Sequence, residues 1–253
     1  MITADTGYEG KFDFPRTAEA PRLTYMLATM PRTGSSWFSH LLWQTGRLGA
    51  PLEYLNYEPA SPYFFAKQST DWQLTLWRSV LTRRTSPNGV FGLKCFPVQL
   101  QQLQESNPQL LANVMSVLVP QSRPPMIVYL DRKERAAHEI SYARAIISGV
   151  WRSEQEDGGV TQVEYSEIAL DRARNLLDGQ RKAWEEMFRD LSVEPLRLWY
   201  EEALADPETA VRAVAEHLGV ALHPKAMVSV PEIRRQSGED SAKWAERYRR
   251  SGA

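Results

Sequence analysis

One cysteine, Cys95, is all this chain of 253 residues carries. A lone cysteine excludes an intrachain disulfide, and it excludes a structural zinc site built from cysteines. There is no surplus of positive charge: 30 Lys and Arg stand against 31 Asp and Glu, a formal net charge of −1. That balance argues against a nucleic-acid coat and leaves room for a local anion site. No stretch approaches the roughly 18 apolar residues that a membrane span requires. The first residues, Met1-Ile-Thr-Ala-Asp-Thr, show no basic region followed by an apolar run, so no secretory signal is read there. Repeats and linkers are also missing. The 43% of apolar residues suffices for a sizeable core and the 24% of charged ones is ordinary, which rules out a wholly disordered chain. The expectation is one cytoplasmic domain spanning 1–253, with no membrane span and no nucleic-acid partner.

Residues 1–21 are polar and hold two prolines, which predicts a surface arm. Leu23 to Met30 is a nearly continuous apolar run, as in a strand buried on both faces. Pro31 ends it, a Thr/Gly/Ser turn follows, and Trp37 to Trp43 has the apolar positions of a buried helix. Glu53 to Phe65 has no clear period and reads as a packed loop or part of a cleft. Trp72 to Leu81 is predicted helical, and Ser86-Pro-Asn-Gly89 is a turn signal before a strand over Val90 to Phe96. Helical spacing covers 99–119, and Met126 to Leu130 is a third strand. Helices are predicted over 133–147 and 169–191, with a polar surface loop at 151–166 between them. Leu196 to Tyr200 is a fourth strand. Asp206-Pro207-Glu208 opens a last helix with a side-chain cap, a proline at the first position and an acid near the positive end. Alternating strands and helices predict an α/β fold with a mostly parallel sheet, whose ligands bind beyond the carboxyl ends of the strands. The 31–36 loop, Lys94 and Asp131-Arg132 all fall at such ends.

The loop Pro31-Arg32-Thr33-Gly34-Ser35-Ser36-Trp37 carries the most chemistry. A helix N-terminus offers unpaired N–H groups and partial positive charge, a ready site for phosphate or sulfate. Gly34 lets backbone approach an anion, Thr33, Ser35 and Ser36 add hydroxyls, and Arg32 adds a full charge. The alternative is a plain strand-to-helix turn in which Ser35 caps the helix. An ATP- or GTP-hydrolysing loop needs G-x-x-x-x-G-K-[ST], and the Gly-Lys pair is absent, which disfavours a kinase or NTPase.

This loop resembles the 5′-phosphosulfate loop of sulfotransferases that use 3′-phosphoadenosine 5′-phosphosulfate (PAPS), and within them the bacterial trehalose 2-sulfotransferase type. Its first block reads Tyr25 to Met30, Arg32-Thr-Gly-Ser-Ser36, Thr45-Gly46 and Gly49-Ala-Pro-Leu-Glu53. Pro87 to Lys94 is similar to the second strand block. Asp131-Arg132 through Ser141, Arg144-Ala145 and Val150-Trp151-Arg152 is similar to the 3′-phosphate block. Leu198 to Leu204 is similar to the late strand, and Arg235-Gln236 with Lys243 to Arg249 to the C-terminal cofactor loop.

The resemblance implies a P-loop-like three-layer fold, with 232–253 as a segment closing over the cofactor. It implies sulfuryl transfer from PAPS to an alcohol, leaving adenosine 3′,5′-bisphosphate (PAP), with no metal. Carbohydrate is the leading acceptor class, with natural-product, phenolic and lipid hydroxyls as alternatives. Arg32 is implied at the 5′-phosphate and bridging oxygen, with Thr33, Gly34, Ser35, Ser36 and Trp37 as surrounding donors. Arg132 and Ser141 are implied as 3′-phosphate ligands, and Arg235 and Gln236 at the adenosine end. Asp131 stands where the family often has a histidine, an acid that either holds Arg132 in place or weakens anion binding.

Glu53 is implied as general base, and a carboxylate partly desolvated in a cleft suits that role near neutral pH. His40 and His138 are minor alternatives for the base. Lys94 reads as facing the sulfate or acceptor, or as an exposed strand-end lysine. Tyr54, Tyr57, Tyr63 and Trp72 read as an acceptor platform or as ordinary core. The residues after the glutamate, Tyr54-Leu-Asn-Tyr57, differ from the family's aromatic pair and set trehalose itself in question. A homodimer is implied by the relatives, and a non-catalytic PAP-binding protein is the remaining rival.

Overall fold

A computed structural model describes residues 10–16, 19–59, 61–151, 163–223 and 239–250. Strands β1 (Leu23–Ala28), β2 (Val90–Cys95), β3 (Met126–Asp131) and β4 (Leu196–Trp199) form one sheet in the order β2-β1-β3-β4. Every pairing is parallel, in the registers Leu27↔Lys94, Leu27↔Val128 and Leu130↔Leu198. All four carboxyl ends therefore lie on one edge.

The helices are α1 (Ser35–Gln44), α2 (Thr70–Arg83), α3 (Pro97–Ser106), α4 (Pro108–Leu118), α5 (Arg135–Ser148), α6 (Glu167–Asp190), α7 (Tyr200–Ala205), α8 (Pro207–His217) and α9 (Glu239–Arg250). Strand alternation sends successive side chains to opposite faces. Met26 and Ala28 join the core built with α2 to α6 and α9. Tyr25 and Leu27 join the core built with α1, α7 and α8. A sheet buried on both faces explains why the β1 run is apolar at nearly every position. The result is the expected three-layer α/β arrangement.

Two expectations are corrected. The 1–21 arm is not wholly superficial. Phe12 is fully buried with its ring 4.9 Å from His40 and 4.6 Å from Trp43, and Asp13 pairs with Arg83 and Arg84 at 3.3 and 2.8 Å. The helical stretch over 99–119 is two helices. Pro108 has no N–H to continue α3, and Asn107 Oδ1 instead caps α4 by accepting from Leu110 N at 3.1 Å. The described end of the 232–253 segment is α9, which packs against α5. It is anchored by Trp244, whose Nε1 donates to Val163 O at 3.1 Å, and by Tyr248, whose hydroxyl reaches Glu139 at 2.9 Å. Arg235, Gln236, Arg152 and most of the 151–166 loop lie outside the described residues.

Candidate active site

The 31–36 loop leads from the end of β1 to the start of α1. Arg32 adopts φ 67°, a left-handed conformation that costs a non-glycine residue roughly 1–3 kcal/mol and persists only when its surroundings hold it. Those surroundings are identifiable. Arg32 Nε donates to Ser141 Oγ at 3.1 Å, and Nη1 donates to the Trp151 carbonyl at 2.6 Å. Pro31 O receives a bond from the fully buried His138 Nε2 at 2.8 Å.

Thr33 points inward. Its hydroxyl donates to Met30 O at 2.7 Å and lies 2.6 Å from that of Thr29, so it braces the loop from behind rather than lining its mouth. Gly34, at φ 84°, is the helix cap and carries no side chain, and Ser35 does not cap. No side chain caps α1, so the N–H groups of its first turn have no intrahelical partner. A Cβ on Gly34 would stand 2.2 Å from Tyr200 Cε2, so glycine is required here by the ring behind it as well as by its φ. Ser36 is exposed, and Trp37 is buried with its ring edge-on to Tyr200 at 6.0 Å.

Glu53 reaches the site through backbone pairing. Leu52 forms an isolated parallel bridge to Leu93, and Lys94 N donates to Leu52 O at 3.2 Å. That register sets Glu53 beside Lys94. Lys94 Nζ lies 2.8 Å from Glu53 Oε1 and donates to Ser36 Oγ at 3.0 Å. Asn56 Nδ2 donates to Glu53 Oε2 at 3.0 Å.

Lys94 is 1% exposed, which overturns the exposed strand-end reading and makes it the link between the carboxylate and the α1 N-terminus. Burying both charges is tolerable because each compensates the other. Tyr54 is not an acceptor platform. It is 1% exposed, its hydroxyl donates to Ala50 O, and its ring stacks on Phe91. Tyr63 is likewise buried, Tyr57 is half-buried, and Trp72 is 61% exposed. His40 packs its ring on Phe12.

The two residues that the resemblance assigns to one phosphate have different partners within the protein. Ser141 bonds Arg32, while Arg132 Nε donates to Glu201 Oε1 at 3.1 Å. Glu201, not Asp131, therefore holds the Arg132 guanidinium. Asp131 is buried, which pushes its carboxyl above the ordinary range. It accepts from Arg132 N at 2.7 Å and Arg181 Nε at 3.2 Å. Tyr200 and Glu201 were missed in sequence. Their one signal is position, immediately after a strand end.

His138 links this network to the loop. With Nε2–H donating to Pro31 O, Nδ1 accepts from Arg181 Nη2 at 3.2 Å, so the ring is neutral. Burial drives its pKa down to about 3, while the unfolded chain titrates near 6.5. Below that unfolded value the unfolded chain gains a proton that the fold refuses, so stability falls as pH drops from 7 towards 3. Between pH 7 and pH 5 the loss is about 2 kcal/mol. His138→Gln keeps a donor for Pro31 O and removes this dependence. Urea unfolding of both proteins at the two pH values checks it, with Asp131, Arg132, Arg135, Arg181 and Glu201 common to both. Equal pH dependence in the two proteins defeats the assignment.

Among the described residues no group of three His, Cys, Asp or Glu side chains is placed to hold a metal ion. No described helix is long and apolar enough to cross a membrane. Comparison with known proteins bears on the same segments. Trehalose 2-sulfotransferase of Mycolicibacterium smegmatis is 26% identical over 259 residues, covering 89% of this chain and 94% of its own. The protein of the same name from Mycobacterium tuberculosis (strain Erdman) is 26% identical over 257 residues with the same coverage. A solved sulfotransferase domain from the curacin biosynthetic pathway superposes with a TM-score of 0.49 at 13% identity, covering 89% of this chain and 83% of that one. The Stf0 sulphotransferase family matches residues 24–251, from the first strand through the last described helix, and the chain belongs to that family of sulfotransferases.

Proposed function

We propose that the protein transfers a sulfuryl group from PAPS to a hydroxyl of a carbohydrate acceptor, with Glu53 as general base. The observation that supports this most is the line Glu53–Lys94–Ser36, which ties a carboxylate to the N-terminus of α1, where no side chain caps the helix. The residues present fit the donor: a glycine-capped helix start and an arginine held at its mouth suit an anionic phosphosulfate. When bound, PAPS supplies the activated sulfuryl group and the leaving nucleotide.

The chain's own residues do the rest. Arg32 directs its guanidinium to the 5′-phosphate and the bridging oxygen. Backbone N–H groups of Ser35, Ser36 and Trp37 surround the anion, with Thr33 and Gly34 fixing the loop. A Glu53 oxygen, with Oε1 and Oε2 already oriented by Lys94 and Asn56, takes the proton of the acceptor hydroxyl. Arg132 and Ser141 hold the 3′-phosphate, and Arg235 and Gln236 close on the adenosine. Tyr57 faces the acceptor. The same reading takes the reaction to be cytoplasmic, as the sequence expectation has it, and admits a homodimer, which rests on the resemblance.

Calorimetric titration with PAP against magnesium–ADP tests the donor, and PAP is expected to bind more tightly. Preference for magnesium–ADP overturns the proposal in favour of a divergent kinase. Radiolabelled transfer from PAPS to trehalose, other sugars, phenols and a glycolipid then tests the acceptor, and label on phenols alone removes the carbohydrate assignment. Binding of PAP with no transfer to any of them favours the binding protein.

A further inference from the structure

Glu201 has no part in the roles given above, yet its carboxylate sits at the junction of the two halves of the site. It lies in the first turn of α7, where β4 ends, and reaches the end of β3. Oε1 accepts from Arg132 Nε at 3.1 Å, and Oε2 accepts from the Lys133 backbone N–H at 2.9 Å. Partial burial opposes its ionisation, but the bonds from Lys133 N–H and Arg132 outweigh that, and its carboxyl is held below the ordinary range.

The preceding residue, Tyr200, touches both neighbours. Arg132 lies 5.1 Å over its ring, and the edge of that ring fills the space beside Gly34. Residues 200 and 201 thus join Arg132 to the anion loop in one rigid register. Glu201 grips the guanidinium by Nε alone. The opposite edge, Nη1 and Nη2, bonds to no other described residue, and it is the edge that donates two parallel bonds to a phosphate.

We infer that Glu201 is a positioning residue for donor specificity, which holds Arg132 by Nε so that its outer edge meets a 3′-phosphate at a fixed distance from the α1 loop. The inference rests on the proposed assignment of Arg132 to that phosphate. Two effects oppose each other. The carboxylate repels a phosphate, and the clamp removes rotamer freedom that an unheld arginine loses only on binding. The clamp dominates because Arg132 itself compensates the Glu201 charge at contact distance, whereas the phosphate meets the far edge of the guanidinium.

The test is calorimetry of Glu201→Gln with two probes, PAP and adenosine 5′-monophosphate, which lacks the 3′-phosphate. PAP affinity is expected to fall on the order of tenfold, as for loss of one charge-assisted orienting bond. The monophosphate is expected to bind unchanged. In an Arg132→Ala background the same substitution is expected to have no further effect on PAP. Tighter or unchanged PAP binding in Glu201→Gln, where Arg132→Ala weakens it, overturns the inference. Equal loss for both nucleotides also overturns it, as a general structural effect. A parent protein that does not prefer PAP, or an Arg132→Ala protein that keeps the full preference, shows instead that the underlying assignment has failed. If Glu201→Gln does not fold, Glu201→Asp, whose shorter side chain cannot span both donors, is expected to give the same PAP-only loss.

Discussion

Glu53→Gln is expected to lower kcat for sulfuryl transfer by about 10²–10⁴-fold, the usual contribution of a positioned general base. The amide has nearly the shape of the carboxylate but cannot take a proton. Its oxygen still accepts from Lys94 Nζ, the contact now made at 2.8 Å, so the Lys94–Ser36 link to the α1 N-terminus is retained. PAP binding is therefore expected to change little, which separates this effect from damage to the donor site. The variant is also expected to be less stable, because the Lys94 ammonium is buried and loses its counter-charge. The rate is accordingly measured at a temperature where circular dichroism and PAP titration show folded protein. Transfer within threefold of the parent removes Glu53 as the base, whatever happens to stability.

Arg32→Lys is expected to give the second large effect, a fall in kcat/KM for PAPS of about 10²–10³-fold, comparable to losing one donor aimed at developing charge. Lysine keeps the charge but not the planar fork. Nε and Nη1 of Arg32 are committed to Ser141 and the Trp151 carbonyl, which locks the plane of the guanidinium at the mouth of the loop. A lysine ammonium at the same left-handed backbone position makes no such bridge. The acceptor KM is expected to stay constant, because Glu53 and Asn56 belong to a different segment. A variant that retains more than a third of the parental kcat/KM shows that the charge alone suffices and that the held geometry is incidental. The same measurement on Ser141→Ala gives a smaller loss in the same direction, since it removes one of the two anchors.

Much of this molecule is legible in its sequence. The switch between continuous apolar runs and helical spacing located all four strands to within a residue or two. The order and spacing of several blocks, from Arg32-Thr-Gly-Ser-Ser36 and Glu53 through Asp131-Arg132 to Arg235-Gln236, carried the family resemblance. Pro108 is a visible helix break, but the Leu spacing continues across it on both sides and reads as one helix. Phe12 is an apolar residue in a polar segment, and local composition hides its burial because the partners, His40 and Trp43, belong to α1. Tyr54 reads equally well as a ligand-facing aromatic or as core, since an aromatic ring suits both. Only the Phe91 ring and the Ala50 carbonyl decide for the core.

The candidate site divides in the same way. Which residue types stand at strand ends is a property of the sequence, because a strand's end and a turn are local. Which of them meet is not. Arg32 and Ser141 are separated by 109 positions, Arg132 and Glu201 by 69, and Lys94 and Ser36 by 58. They are neighbours because parallel strands, ~4.8 Å apart, bring all their carboxyl ends to one edge. Periodicity and propensity describe contacts within a few residues and carry no information about that edge. By itself the sequence determined the alternation of strands and helices, the residue types that stand at the strand ends and the family. The pairing of Glu53 with Lys94, the clamp of Glu201 on Arg132 and the inward turn of Thr33 were decided only by strand order and register, which bring distant residues within hydrogen-bonding distance.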